Sequence, residues 1–124
     1  MTKRGTPDGA RQNGPALEKA YQFALWLVPT VEKFPRSQKF LLGDRLQSLA
    51  YDVIEGLGEA AYNRDREKVL KLVNLRLQKL RLMVRLASDL HHLDKRRYEF
   101  AARGIDEIGQ LVGGWLRTDR AQKA

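Results

Sequence analysis

The sequence predicts an all-α protein, an antiparallel up-down-up-down four-helix bundle, and three observations predict it. Apolar residues recur at spacings of three and four along four long stretches. Turn and cap residues interrupt those stretches only briefly, and nowhere does the period-two alternation of a strand appear. The 124 residues are enough for one packed core without covalent staples. The chain has no cysteine, so neither a disulfide framework nor thiolate metal sites arise, which fits a reducing, cytoplasmic setting. We expect no membrane span and no secretory leader, because no apolar run approaches the required length.

Residues 1–15 carry glycine, proline and scattered cations without apolar periodicity, and read as a flexible basic N-terminal tail. The bundle is expected over residues 16–117. Its first helix runs from Ala16 to Phe34, with Pro29 producing a kink rather than a break. Phe34 precedes Pro35 and so leaves helical geometry. The second helix spans Gln38 to Tyr62. Leu42, Leu46, Leu49, Val53 and Leu57 form its inner face, and Asp44, Asp52, Glu55 and Glu59 an acidic outer ridge. Gly43, Gly56 and Gly58 weaken that helix and point to the close approach of a neighbour. Asp65 is the expected N-cap of a third helix ending near Leu90, and Asp94 that of a fourth helix running to about Arg117. Residues 118–124 are polar and read as a frayed C-terminal tail.

The charge is uneven. Between Asn63 and Arg97 lie eleven Lys or Arg against four acids, an excess of seven, while the whole chain carries +8. Projected at about 100° per residue, the third helix shows a broad apolar arc of Val69, Leu70, Leu72, Val73, Leu77, Leu80, Met83, Val84, Ala87 and Leu90. A second, narrower stripe of Leu75, Leu82 and Leu86 is surplus to a monomer's core and predicts a subunit contact. Between the two runs a polar row of Lys71, Asn74, Gln78, Arg81 and Arg85. Lys95, Arg96 and Arg97 stand in the first turn of the fourth helix, where the macrodipole disfavours cations and free amides attract phosphate. Lys71, Arg81, Arg85, Lys95, Arg96 and Arg97 are therefore the candidate residues for binding nucleic acid. The competing reading is a solvated basic face, with Asp94 offsetting the three cations.

Chemistry of other kinds has no foothold in the motifs. Phosphate-cradling glycine loops, zinc-helix spacing and a nucleophile elbow are all missing. His91 and His92 are adjacent in a turn, and the Glu-x-x-His pattern of bundle metal sites does not occur. We expect a non-enzymatic binding module with no metal and no cofactor. Trp26 and Trp115 lie on apolar arcs and read as packing residues.

Three segments carry a family resemblance: Phe34-Pro35-Arg36-Ser37, Leu80-Arg81-Leu82-Met83-Val84-Arg85-Leu86 and Glu107-Ile108-Gly109-Gln110-Leu111-Val112-Gly113-Gly114-Trp115. They resemble the Avd (accessory variability determinant) family of bacterial diversity-generating retroelements, over about Ala16 to Arg117. A broader related group is the four-helix-bundle proteins encoded in intervening sequences of ribosomal RNA genes. The resemblance implies a ring-like homopentamer with a basic surface. It also implies binding to the element's reverse transcriptase and to DNA or RNA, largely independent of sequence, in support of mutagenic cDNA synthesis. The family's basic positions on the third helix correspond to Arg81 and Arg85. Other readings stay open: a ribosomal-RNA-associated bundle, a helper that grips an acidic protein, and a membrane-surface protein.

Overall fold

The computed structural model describes residues 8–123, with side chains from Gly14 onward. Four long helices carry the chain: α1 (Asp8–Val31), α2 (Asp44–Ala60), α3 (Arg66–Asp89) and α4 (Lys95–Lys123). There is no strand among the described residues. Each helix packs chiefly on two neighbours, α1 and α3 each against α2 and α4, so α1 and α3 are diagonal. The core between them is apolar and closed. Leu27, Leu46, Leu57, Leu70, Val73, Leu80, Ile105 and Val112 are at most 1 % exposed. Their three-and-four spacing is why these stretches are helices, since burial of one stripe holds each in register.

Several boundaries differ from the sequence reading. Residues 1–7 of the expected N-terminal tail lie outside the described residues, whereas α1 already begins at Asp8. Pro15 sits inside that helix and removes a single N–H. Ala16 and Ala20, 1 % and 2 % exposed, hold the turns that follow it in the core. Pro29 likewise does not divide α1, and Thr30 Oγ1 donates to the Trp26 carbonyl one turn back at 2.8 Å. The second helix is reached through a one-turn helix (Arg36–Gln38) and a π-helical segment (Lys39–Gly43). At Gly43 a Cβ would meet Val31 Cγ1 at 2.6 Å, and at Gly56 it would meet Val73 Cγ2 at 2.6 Å, so both glycines admit a neighbouring helix. Gly58 has open space instead and admits nothing.

The turn between α3 and α4 explains the paired histidines. His91 adopts φ 65°, its N–H donates to the Ser88 carbonyl at 2.9 Å, and the His92 N–H donates to the Ala87 carbonyl at 2.8 Å. This is a Schellman helix stop, here closed by histidine where glycine is commonest. The His92 ring completes it by packing on Phe34, with ring centroids 5.5 Å apart.

The frayed tail expected over residues 118–124 is helix as far as Lys123. Asp119 makes the difference, being 2 % exposed and 3.3 Å from Arg66 Nη1. Arg66 in turn donates from Nε to the Ala60 carbonyl at 2.8 Å and from Nη2 to the Ala61 carbonyl at 3.3 Å, and its guanidinium lies 5.8 Å over the Trp115 ring. One arginine thus caps the end of α2, pairs with α4 and stacks on the core tryptophan. Lys123 Nζ adds an ion pair to Asp119 Oδ2 at 3.3 Å.

Candidate nucleic-acid interface

α3 positions three of the six candidate cations, Lys71, Arg81 and Arg85, and the first turn of α4 the other three. Arg76 reaches Asp52 of α2 at 3.8 Å on one flank, and Arg81 pairs with Asp106 of α4 on the other. The outward arc between these two ties is what the bundle leaves to solvent. It carries Leu75, Leu82 and Leu86, exposed as the second stripe predicts. Leu72 and Leu90, assigned from sequence to the core arc, are exposed too, at 42 % and 47 %. On the helical projection they fall within about 80° of the other three, so the outer stripe has five leucines and runs most of the length of α3. Leu111 of α4 is also exposed. Lys68 and Lys79 lie within the leucine stripe and have no acid partner among the described residues, while Lys71, Gln78 and Arg85 follow its edge.

Four of the six candidate cations face carboxylates of the same chain. Lys71 lies 3.0 Å from Glu67, and Arg85 Nε lies 3.9 Å from Asp89. Arg81 is tied to Asp106 and also donates to Gln78 Oε1 at 3.2 Å. Arg97 Nη1 lies 2.6 Å from Asp94 Oδ2, and its backbone N–H donates to Asp94 Oδ1 at 2.8 Å. That last bond holds the Asp94 carboxyl below its ordinary range, helped by the Arg97 guanidinium and by Arg96. Glu67 is lowered too, first by its bond from Lys71 and then by Arg120. These pairs are solvent-exposed and weak, so phosphate can displace the carboxylates at little cost.

The structure does not bring all six together. Lys71 and Arg85 are fourteen residues apart on one helix, or about 21 Å. Lys95, Arg96 and Arg97 stand past the turn at the far end. Asp94 caps α4 as expected and occupies the Arg97 amide, so of the phosphate cradle only Lys95 and Arg96 are left without an acid partner among the described residues. Asp65 occupies the N-cap position of α3 without a side-chain cap bond. Asn63 Oδ1 accepts the Asp65 N–H instead, at 2.8 Å. Among the described residues no three His or acidic side chains gather as a metal cluster, and no helix is long and apolar enough to cross a membrane.

Arg66 is one of the eleven cations in the charge excess between Asn63 and Arg97, and its partners make it a structural lock. No local signal separates the two roles, because every one of those partners lies outside its own helix.

A four-helix bundle with cations along one flank of a helix, beside a leucine stripe that the monomer leaves bare, is the class of protein this geometry defines. The model of the bAvd-like family matches residues 16–118, and the chain belongs to that family. The family is not a known enzyme family. The fold is similar to the crystal structure of a protein of unknown function from the S23 ribosomal protein family of Bacteroides thetaiotaomicron. That protein is 15 % identical with a TM-score of 0.78, and the match covers 86 % of this chain and 98 % of that one. At this identity the likeness is one of fold. No curated protein matches the chain.

Proposed function

We propose that this protein is a non-enzymatic accessory factor of a diversity-generating retroelement. In this reading it binds the element's reverse transcriptase and nucleic acid, and it supports mutagenic cDNA synthesis as a ring-like homo-oligomer, with five copies the number that family membership favours. The observation that carries the reading is the placement of two features side by side on α3. One is the row of weakly paired cations Lys71, Arg81 and Arg85, and the other is the leucine stripe around Leu75, Leu82 and Leu86. A ring repeats the modest charge of each protomer into a field strong enough to hold a polyanion without reading its bases.

The other half of the subunit contact is available on the opposite side of the bundle. Tyr21, Leu25, Val28, Pro29, Tyr51 and Ile54 line an apolar groove of about 350 Å³ between α1 and α2. Exposed Glu18 and Glu55 lie on the same two helices beside it. Lys68 and Lys79 within the leucine stripe suit that acidic border, whereas stripe against stripe would set lysine against lysine. A head-to-tail contact of this kind closes into a ring when the rotation permits.

The test is retention of RNA and DNA by Arg81→Gln/Arg85→Gln across a salt series. Loss of two phosphate contacts per protomer is expected to lower the slope of log affinity against log salt by about 1.8 for each protomer that engages duplex DNA. An unchanged slope with an intact oligomer removes both arginines from the interface.

A further inference from the structure

The groove between α1 and α4 has no part in the function described so far. Two hollows, of about 290 and 330 Å³, meet at Phe100, which lines both. Their floor is aromatic. The Trp26 ring centroid lies 4.8 Å from that of Phe100 and 5.9 Å from that of Phe23. Phe100 remains 46 % exposed despite this packing, so nearly half of its surface faces solvent. Gly104 helps keep the floor open, since a Cβ there would stand 3.0 Å from Phe23 Cδ1.

The rim is cationic. Lys19 and Glu107 bridge at 2.8 Å at one end, and Arg97 and Asp94 pair at 2.6 Å at the other. Both acids that line the groove are thereby compensated. Arg103 and Arg96, one in each hollow, have no acid partner among the described residues. Glu99 is exposed on the same helix but lines neither hollow.

We propose that this groove is a stacking site for an unpaired base of a single-stranded nucleic acid, with Phe100 under the base and Arg96 and Arg103 on the flanking phosphates. The proposal rests on the nucleic-acid-binding reading above and adds a strand preference to it. A duplex keeps its bases stacked on one another and offers this groove phosphates alone. An acidic peptide offers charge without a π face. Of these three, the unpaired nucleotide alone uses both the aromatic floor and the Arg96 and Arg103 guanidinium groups.

The experiment measures binding of the whole protein to a labelled ten-nucleotide oligothymidylate, to a ten-base-pair duplex and to polyglutamate, all at one fixed salt concentration. Phe100→Ala is expected to weaken oligothymidylate binding roughly 5- to 150-fold, the loss of one base–aromatic stack, while duplex binding is unchanged. Phe100→Leu keeps the apolar bulk without the ring face and is expected to behave like Phe100→Ala. Trp26 fluorescence is expected to be quenched by oligothymidylate and unaffected by duplex. If Phe100→Ala leaves oligothymidylate binding intact, or weakens both nucleic acids alike with helicity preserved, the stacking site is refuted while nucleic-acid binding stands. Polyglutamate binding as tight as oligothymidylate also refutes it. If the wild-type protein binds neither nucleic acid, the broader reading falls together with this one.

Discussion

Replacing Arg66 with alanine separates structural charge from binding charge more cleanly than any other single change. Three hydrogen bonds disappear, to the Ala60 carbonyl, the Ala61 carbonyl and Asp119 Oδ1, together with the guanidinium over Trp115. Asp119, with a side chain only 3 % exposed, is left with Lys123 alone. Removing one partner of a fully buried ion pair costs about 3–5 kcal/mol. The Arg66 side chain is 21 % exposed and Lys123 stays, so about 2–4 kcal/mol is the appropriate range after solvent screening. For a domain of this size each kcal/mol moves the melting temperature by roughly 4 °C, which gives a drop of about 8–16 °C. Circular dichroism melts measure it. Arg64→Ala, which removes an exposed arginine two residues away, is expected to change the midpoint by less than about 2 °C. Arg66→Ala/Asp119→Ala is expected to cost less than the sum of the single changes, because the two side chains share one interaction. At temperatures where it is folded, Arg66→Ala should retain nucleic acid like the wild type. An unchanged midpoint, or strictly additive single and double variants, would show that the Arg66 contacts do not hold the end of α2 to α4.

Other expectations follow from the surface of the same bundle. Leu82→Glu is expected to reduce the particle mass by light scattering towards the 14.2 kDa of a single chain while helicity persists, since Leu82 is 57 % exposed in the monomer. Undiminished mass would remove the leucine stripe from the subunit contact. Asp94 and Glu67 both have carboxyl pKa values below their ordinary values of 3.8 and 4.5, so each contributes stability that is complete above those values. That stability is lost as pH falls through the lowered, folded-state values. Asp94→Asn/Glu67→Gln should therefore melt below the wild type near neutral pH and converge with it in strong acid. A gap of constant size across the whole pH series would contradict the assignment.

The four helices, their order and most of the core were legible before any tertiary information. A helix's buried face leaves a repeat of three and four in its own residues, and Leu46, Val73, Ile105 and Val112 follow that repeat directly. The bare stripe of Leu75, Leu82 and Leu86 was legible for the same reason, since it exceeds what one face of a helix needs. Leu72 and Leu90 were misplaced because both lie at the edge of the apolar arc, and only the positions of α2 and α4 decide where that edge falls. Arg66 and Asp119 are 53 residues apart, and nothing local marks a charged residue as buried when its partner arrives from another helix. Phe23, Trp26 and Phe100 likewise form a single floor only after α1 and α4 are packed together. Periodicity is a property of one helix and survives in one-dimensional sequence. Pairing, burial at an arc's edge and the shape of a groove belong to two or more helices at once, so they come into being with the tertiary fold.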